Sequence, residues 1–120
     1  MTDTARAIVF DEPLKLSVNA LVVKPFEATD VQVQVTHSGI STGTERLLWE
    51  GTMPPFPGLG YPLVPGYETV GLVTKVGDSD SVAVGDLVFV PGSYTFEGVK
   101  NIFGGAGERL IVPHKIGRAH

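Results

Sequence analysis

Hydrophobic and polar residues alternate along several short stretches of the chain, and turn residues separate these stretches. The clearest alternation runs from Val31 to His37, where the valines and His37 share one face and the glutamines share the other. Further strands are predicted at Arg6–Phe10, Leu14–Val18, Ala20–Val23, Glu68–Val76, Leu87–Val90 and Leu110–Val112. The Leu14–Val18 alternation is typical of a half-buried strand. The pattern therefore predicts roughly seven strands separated by turns.

One short helix is predicted, from Thr42 to Glu50. Thr42 and Glu45 have the spacing of a capping box, in which each side chain accepts a hydrogen bond from the other residue's amide. Gly51 is suited to end the helix. The segment 53–65 carries five prolines, which predicts a stiff surface loop and not a ladder strand.

Composition supports a single, mainly β domain. The chain has 120 residues, of which 42% are hydrophobic, and this length corresponds to about one domain. The 15 glycines and 9 prolines are spread along the chain without a repeat. The predicted fold is a partly open β-barrel with one or two short helices. The tail 117–120 shows no pattern, so we expect a frayed end or a domain junction there.

Charge and cysteine content exclude several classes of function. The net charge is -4, and without a basic stripe no nucleic-acid partner is expected. No apolar run reaches the roughly 20 residues of a membrane helix, and no signal peptide is visible. Cysteine is absent, which excludes disulfides, thiolate metal sites and cysteine nucleophiles and fits a cytoplasmic protein. The sequence is compatible with an oligomer but does not set its size.

A family resemblance appears at the pattern Gly66-x-Glu68-x-x-Gly71-x-Val73, which is followed by Val76-Gly77 and Gly85-Asp86-x-Val88. This pattern resembles the GroES-like catalytic domain of the medium-chain dehydrogenases/reductases. The resemblance covers most of residues 5–113 and implies a GroES-like barrel with an oxidoreductase activity.

The zinc ligands of that family are replaced in this chain. Tyr67 stands where the family has a histidine ligand, and Ser41 stands where it has a cysteine. Thr44 and Glu45 resemble the family's Thr/Ser-Asp pair after an insertion of one residue. The resemblance therefore implies a zinc-independent member. Three scattered histidines do not suggest another zinc site either.

A closer resemblance concerns the segments 37–46 and 58–68. They are similar to zinc-free alcohol dehydrogenases of bacteriochlorophyll synthesis, which oxidise the 3-(1-hydroxyethyl) group of a bacteriochlorophyllide to acetyl with NAD. The resemblance thus implies NAD as cofactor and a tetrapyrrole as partner. Two alternatives stay open: a zinc-free quinone or enone reductase that uses NADPH, and a GroES-like binding or co-chaperonin module without enzyme activity.

The nucleotide-binding fingerprint Gly-x-Gly-x-x-Gly is not found. The glycine-rich stretch Gly104–Gly107 lacks its spacing. We therefore expect residues 1–116 to form the substrate-side domain and 117–120 to lie at or near a junction. A Rossmann domain outside this chain would bind most of the NAD, and this domain alone would be nearly inactive.

Four residues are candidates for catalysis: Thr44, Tyr67, Ser41 and His37. The resemblance places Thr44 in a proton relay, whereas a local role at the helix start is the alternative. Ser41 either binds substrate or begins the turn, and Tyr67 either donates to an alkoxide or only packs. For His37 a satisfied, half-buried position at the end of its strand is the commoner outcome.

Five residues are candidates for substrate binding: Glu68, Trp49, Met53, Phe56 and Tyr61. The aromatic side chains and Met53 surround the proline-rich loop, where a flat macrocycle would stack on them. Capping of the barrel is the alternative role. For Glu68, an ion pair with Arg46 or orientation of Tyr67 is expected, and Glu45 already has a structural role as capping partner.

Overall fold

The computed structural model describes residues 3–78, 81–114 and 117–118. In this part of the chain one helix and nine strands follow each other. The strands are β1 (Thr4–Glu12), β2 (Lys15–Val22), β3 (Asp30–Gly39), β4 (Leu63–Val64), β5 (Glu68–Val76), β6 (Leu87–Val90), β7 (Lys100–Asn101), β8 (Arg109–Pro113) and β9 (Gly117–Arg118), and the helix is α1 (Thr44–Glu50). No helix of the described residues is long and apolar enough to cross a membrane.

The strands form two sheets that do not close into one barrel. The smaller sheet has the order β2-β1-β4-β7, and the larger has the order β8-β3-β5-β6-β9. Pairing is antiparallel except between β4 and β7. The predicted mainly β, partly open barrel is thereby confirmed.

The main core lies between the two sheets and consists largely of valines. Val31 and Val33 of β3, Val73 of β5 and Val88 of β6 are almost completely buried, and Val9 of β1 meets them from the other sheet. Because side chains alternate across a strand, every second residue of these strands can enter the core. Burial of this apolar surface is the main favourable contribution to folding.

Strand β2 departs from its predicted burial. Leu16 and Val18 were expected on the buried face of a half-buried strand, but 52% of Leu16 and 62% of Val18 are exposed. Each pairs with a residue of β1, Leu16 with Phe10 and Val18 with Ile8. The apolar side chains of β2 therefore extend the outer face of the smaller sheet, away from the main core.

The end of β3 also departs from the strict alternation. The register between β3 and β5 shifts between Val35 and His37, because β3 has one more residue there than β5. Such a bulge reverses the faces of the residues that follow it. His37 is therefore exposed, and the prediction that it is half-buried beside the valines is wrong. Its Nδ1 lies 3.2 Å from the Thr36 hydroxyl.

Three short strands occur where none was predicted, one of which is β7, which pairs with β4. Leu63 and Val64 follow the prolines of the predicted loop, are fully buried, and form β4 between β1 and β7. Gly117 and Arg118 form β9 beside β6, so the expected fraying is wrong for these two residues, and the expected domain junction stays a prediction. Residues 119–120 of that tail lie outside the described residues. All three strands have only two residues, too few to produce a visible alternation.

Candidate active site

Antiparallel pairing brings together the two segments that carry the family resemblance. The last residue of β3, Gly39, pairs with the first residue of β5, Glu68. Glu68 crosses over Gly39 so closely that a Cβ at Gly39 would lie 2.8 Å from the Glu68 Oε2 atom. The loop after β3 and the residue before β5 therefore meet at one end of the larger sheet.

Three hydroxyl groups meet at this point. The Tyr67 hydroxyl donates to Ser41 Oγ at 2.8 Å, and its oxygen lies 3.4 Å from Thr44 Oγ1. Because the phenol has one proton, the shorter contact takes it, and the Thr44 hydroxyl is then free to donate to the phenol oxygen. The structure thus brings together three of the four residues proposed for catalysis, whereas His37 lies apart from them.

Ser41 Oγ is the central atom of this hydroxyl cluster. It accepts from the Tyr67 hydroxyl and, at 3.3 Å, from the Thr44 amide. A hydroxyl has two acceptor lone pairs and one proton. Since both lone pairs are used, the Ser41 proton is available to donate, and Ser41 lines the adjacent cleft.

The start of α1 is capped by a different residue from the one predicted. The helix begins at Thr44, and its N-cap Gly43 makes no side-chain cap bond. The Thr44 amide donates to Ser41 Oγ, and the Ser41 amide donates to Glu45 Oε2 at 2.7 Å. The predicted pair of Thr42 and Glu45 is therefore wrong in its first member, because the helix starts later. The predicted helix end at Gly51 is confirmed by its left-handed backbone, with a φ of 77°.

Glu45 is a buried carboxylate beside the hydroxyl cluster. Only 7% of the residue is exposed. Burial raises the pKa of Glu45, the Ser41 amide opposes this rise, and the charge of Glu68 adds to it. Glu45 therefore holds the backbone of Ser41 and, through it, the position of the cluster.

The Tyr67 ring is held by a residue that the sequence analysis did not identify. It stacks on Phe103, with ring centroids 5.4 Å apart and an angle of 23°. The loop that carries Phe103 is fixed to the chain before Tyr67 by two bonds, from the Gly105 amide to the Gly66 carbonyl and from the Ala106 amide to the Pro65 carbonyl. No local motif signals this contact, because Phe103 lies far from Tyr67 in the sequence.

A cleft of about 560 Å³ opens next to Ser41. One wall is apolar and consists of side chains from β1, β2, the loop after β3 and α1: Ile8, Phe10, Leu16, Ile40 and Trp49. The cleft is also lined by polar residues from the end of β3, the following loop and α1: Ser38, Ser41, Thr42, Glu45 and Arg46. The apolar face of β2 that is missing from the core therefore forms part of this cleft.

Only some of the residues predicted to bind substrate line the cleft. Trp49 lines the cleft and packs edge-on against Phe10, with centroids 5.5 Å apart. Met53 and Tyr61 instead pack in a second small core around Leu48. The Tyr61 hydroxyl donates to the Leu48 carbonyl, and burial raises the pKa of Tyr61.

Phe56 and Glu68 differ from expectation in other ways. Phe56 is partly exposed and does not line the cleft. The expected ion pair between Glu68 and Arg46 is wrong, because Arg46 donates to Glu50 at 2.8 Å along the helix. Glu68 is exposed at the start of β5, above Gly39.

The donor set at the cluster does not fit a zinc ion. Zinc sites in proteins use cysteine, histidine and carboxylate ligands, whereas Ser41, Thr44 and Tyr67 offer neutral hydroxyls. Within residues 3–78, 81–114 and 117–118, no group of three or more histidine, aspartate or glutamate side chains converges as a metal site would require. No step of a reaction is therefore assigned to a metal here.

The glycine-rich stretch 104–107 does not fit a dinucleotide phosphate. All four of its amides already donate to backbone carbonyls. The bonds run from Gly104 to Val64, from Gly105 to Gly66, from Ala106 to Pro65 and from Gly107 to Gly105. A phosphate cradle needs free amides that point to the ligand. This stretch therefore fixes the loop and offers no free amide to a phosphate.

Comparison with known proteins gives the chain's relatives. Residues 27–117 match the family described as alcohol dehydrogenase GroES-like domain. The chain is 44% identical over 112 residues to 2-desacetyl-2-hydroxyethyl bacteriochlorophyllide A dehydrogenase from Cereibacter sphaeroides, covering 89% of the chain and 35% of that protein. It is 54% identical over 83 residues to the protein of the same name from Rhodobacter capsulatus, covering 68% of the chain and 26% of that protein.

A solved structure agrees with these relatives. A short chain alcohol dehydrogenase from E. coli CFT073, in complex with NADH, is similar with a TM-score of 0.71 and 26% identity. The similarity covers 95% of this chain and 37% of that one. The predicted resemblance to bacteriochlorophyllide dehydrogenases is confirmed, and the chain spans about a third or less of the length of these curated relatives.

Proposed function

The chain belongs to the alcohol dehydrogenase GroES-like domain family, and on that premise we propose that it is the substrate-side domain of an NAD-dependent, zinc-independent alcohol dehydrogenase. The proposed reaction oxidises the 3-(1-hydroxyethyl) group of a bacteriochlorophyllide to acetyl. The observation that carries the proposal is the hydroxyl cluster of Ser41, Thr44 and Tyr67 at the edge of an apolar cleft.

The proposal includes a division of labour between domains. Residues 1–116 form the substrate side, residues 117–120 lie at or near the junction, and a Rossmann domain outside this chain holds most of the NAD. Two observations support this division. The amides of the glycine-rich loop are occupied, and the chain covers only 35% of the relative from Cereibacter sphaeroides.

Oxidation of an alcohol requires a place for its hydroxyl proton. Each hydroxyl of the cluster is both donor and acceptor, so the three can pass a proton in either direction by reversing their hydrogen bonds. When the Tyr67–Ser41 hydrogen bond reverses, Ser41 Oγ gains a lone pair that can accept the substrate's hydroxyl proton. Ser41 then passes its own proton to Tyr67, and Tyr67 passes its proton through Thr44 to water, while the hydride of the carbinol carbon would go to NAD. Thr44 is the next group in this chain of hydrogen bonds.

The neutral cluster also stabilises the developing alkoxide. Hydroxyl donors held at fixed positions stabilise negative charge without reorganisation during the reaction. Glu45 fixes the Ser41 backbone, and Phe103 fixes the Tyr67 ring. The apolar residues of the cleft give water few hydrogen-bonding partners around the reacting group.

The shape and chemistry of the cleft suit a large flat substrate. Trp49 offers aromatic surface and is backed by the buried Phe10 ring, while Ile8 and Leu16 of the paired strands β1 and β2 continue the wall as a sheet. A tetrapyrrole ring presents a broad apolar face that can pack on such a wall. A smaller alcohol would leave much of this surface in contact with water.

The test compares turnover of full-length protein carrying Tyr67→Phe or Thr44→Val with the unmodified protein. Loss of a proton-transfer or oxyanion donor lowers kcat by roughly 100-fold or more. The matched control is Tyr94→Phe, since Tyr94 is 82% exposed and lies outside the cleft.

Two results would contradict the proposal. Unchanged kcat in both variants would remove the cluster from catalysis. Reduction of an enone by full-length protein that leaves the hydroxyethyl substrate unchanged would favour the quinone or enone reductase instead.

A further inference from the structure

The cleft continues beyond the hydroxyl cluster into a second depression of about 300 Å³. Ile8, Ser38 and Ala106 line both, so the two are parts of one groove along the outer face of the smaller sheet. Val18 extends the apolar floor, and the far end is formed by Arg6 and Glu108. The groove therefore has an apolar middle and a charged end.

The Arg6 guanidinium is held in place but is only partly used. Arg6 Nε donates to Glu108 Oε2 at 3.0 Å, and the Arg6 amide donates to Glu108 Oε1 at 3.1 Å. The Arg6 side chain is 74% exposed. Arginine has five N–H donors, and its terminal nitrogens make no hydrogen bond to another described residue. The outer edge of the guanidinium is thus available to a ligand.

We propose that Arg6 determines substrate specificity by binding a carboxylate substituent of the macrocycle. This inference rests on the proposed function, because a bacteriochlorophyllide carries a free propionate on the ring next to the hydroxyethyl-bearing pyrrole, so that both groups project from the edge of the macrocycle. The terminal guanidinium nitrogens hold the propionate, and the ring lies on Ile8 and Val18. The hydroxyethyl group then points to Ser41.

The spacing along β1 agrees with this orientation. Arg6, Ile8 and Phe10 point to the same side of the strand, since the residues between them are buried in the core. A strand rises about 3.3 Å per residue, so Arg6 and Phe10 are about 13 Å apart. This distance is of the order of the width of a tetrapyrrole ring.

Glu108 does not compete with the ligand for the same atoms. It occupies the Nε side of the guanidinium, and a carboxylate that binds end-on uses only the two terminal nitrogens. Glu108 thereby orients the arginine fork. Binding of this kind is stronger than a surface ion pair only where the fork is held in a fixed position.

The test uses full-length protein and two substrates, the free acid of the hydroxyethyl bacteriochlorophyllide and its propionate methyl ester. The ester keeps the ring and the alcohol but lacks the negative charge. We expect the unmodified protein to favour the acid about tenfold in kcat/KM, as for a hydrogen-bonded ion. In Arg6→Met this preference disappears through a higher KM for the acid, while the ester is oxidised as before.

A matched control and the contrary outcomes complete the design. Lys15→Met removes a similarly exposed cation of the neighbouring strand that lines neither depression, and it should keep the preference for the acid. Equal rates with acid and ester in the unmodified protein, or an equal loss for both in Arg6→Met, would overturn the role of Arg6 while the proposed function stands. Failure to oxidise either substrate would overturn the proposed function and the inference together.

Discussion

Replacement of Glu45 by glutamine separates the charge of this residue from its hydrogen bond. Glu45 is 7% exposed and accepts from the Ser41 amide at 2.7 Å. A glutamine of the same shape keeps an acceptor oxygen for that amide but has no charge. Glu45→Ala removes both.

The stability difference between Glu45→Gln and the unmodified chain depends on pH because the pKa of Glu45 is raised. Burial causes this rise in pKa, and the charge of Glu68 increases it. Because the folded-state pKa lies above the unfolded-state value, folding binds a proton between the two values. The ionised Glu45 carboxylate therefore lowers the stability of the folded chain. This loss begins as the pH rises through the unfolded-state pKa and is complete above the folded-state pKa. Glu45→Gln should be at least as stable as the unmodified chain at pH 8 and should lose that advantage toward pH 4.

The magnitude of the Glu45→Ala effect comes from the capping bond. Loss of a helix-start hydrogen bond costs about 1 kcal/mol, and the half-buried Ser41 amide is left without its partner. We expect Glu45→Ala to lose about 1–2 kcal/mol of unfolding free energy at pH 8. The two substitutions should therefore differ in sign.

Urea unfolding of the 120-residue chain at several pH values measures these differences. Trp49, the only tryptophan, lies on the same helix as Glu45 and reports unfolding by its emission. Glu50→Gln is the control, because Glu50 only forms an exposed pair with Arg46, and such pairs contribute about 0.5 kcal/mol or less. If Glu45→Gln were less stable than the unmodified chain by the same amount at pH 5 and pH 8, the reasoning about the buried charge would be refuted.

Three other predictions concern packing and binding. Gly71→Ala should lose about 1–3 kcal/mol of stability in urea unfolding, because the added Cβ would lie 2.4 Å from the Gln34 carbonyl oxygen. The control, Gly43→Ala, should be nearly neutral because nothing outside its chain neighbours and its own helix lies within 4 Å of the added Cβ. Leu48→Ala should lose about 2–5 kcal/mol because Leu48 is fully buried; a loss below 1 kcal/mol would show that the second core is not tightly packed. Leu16→Ala should leave the unfolding midpoint unchanged but weaken quenching of Trp49 by a bacteriochlorophyllide analogue, and unchanged quenching would exclude Leu16 from the binding wall.

The sequence by itself determined the local elements and the chemical character of the site. Period-two alternation located β3, β5, β6 and β8 because one face of each of these strands meets the core. The family resemblance carried by the glycine-bearing patterns around Ser41 and Tyr67 pointed to two of the hydroxyl groups that the structure brings together. Such features can be read from the chain because they depend on residues a few positions apart.

Only the tertiary structure decided which faces are buried and which distant residues meet. The bulge after Val35 exposes His37, and the outer position of β2 leaves Leu16 at the cleft instead of in the core. The contact between Arg6 and Glu108 joins residues 102 positions apart. Strand register and sheet order decide these contacts, because they pair residues that are far apart in the sequence. An alternating pattern shows that a strand has two faces but does not show which face packs against another element.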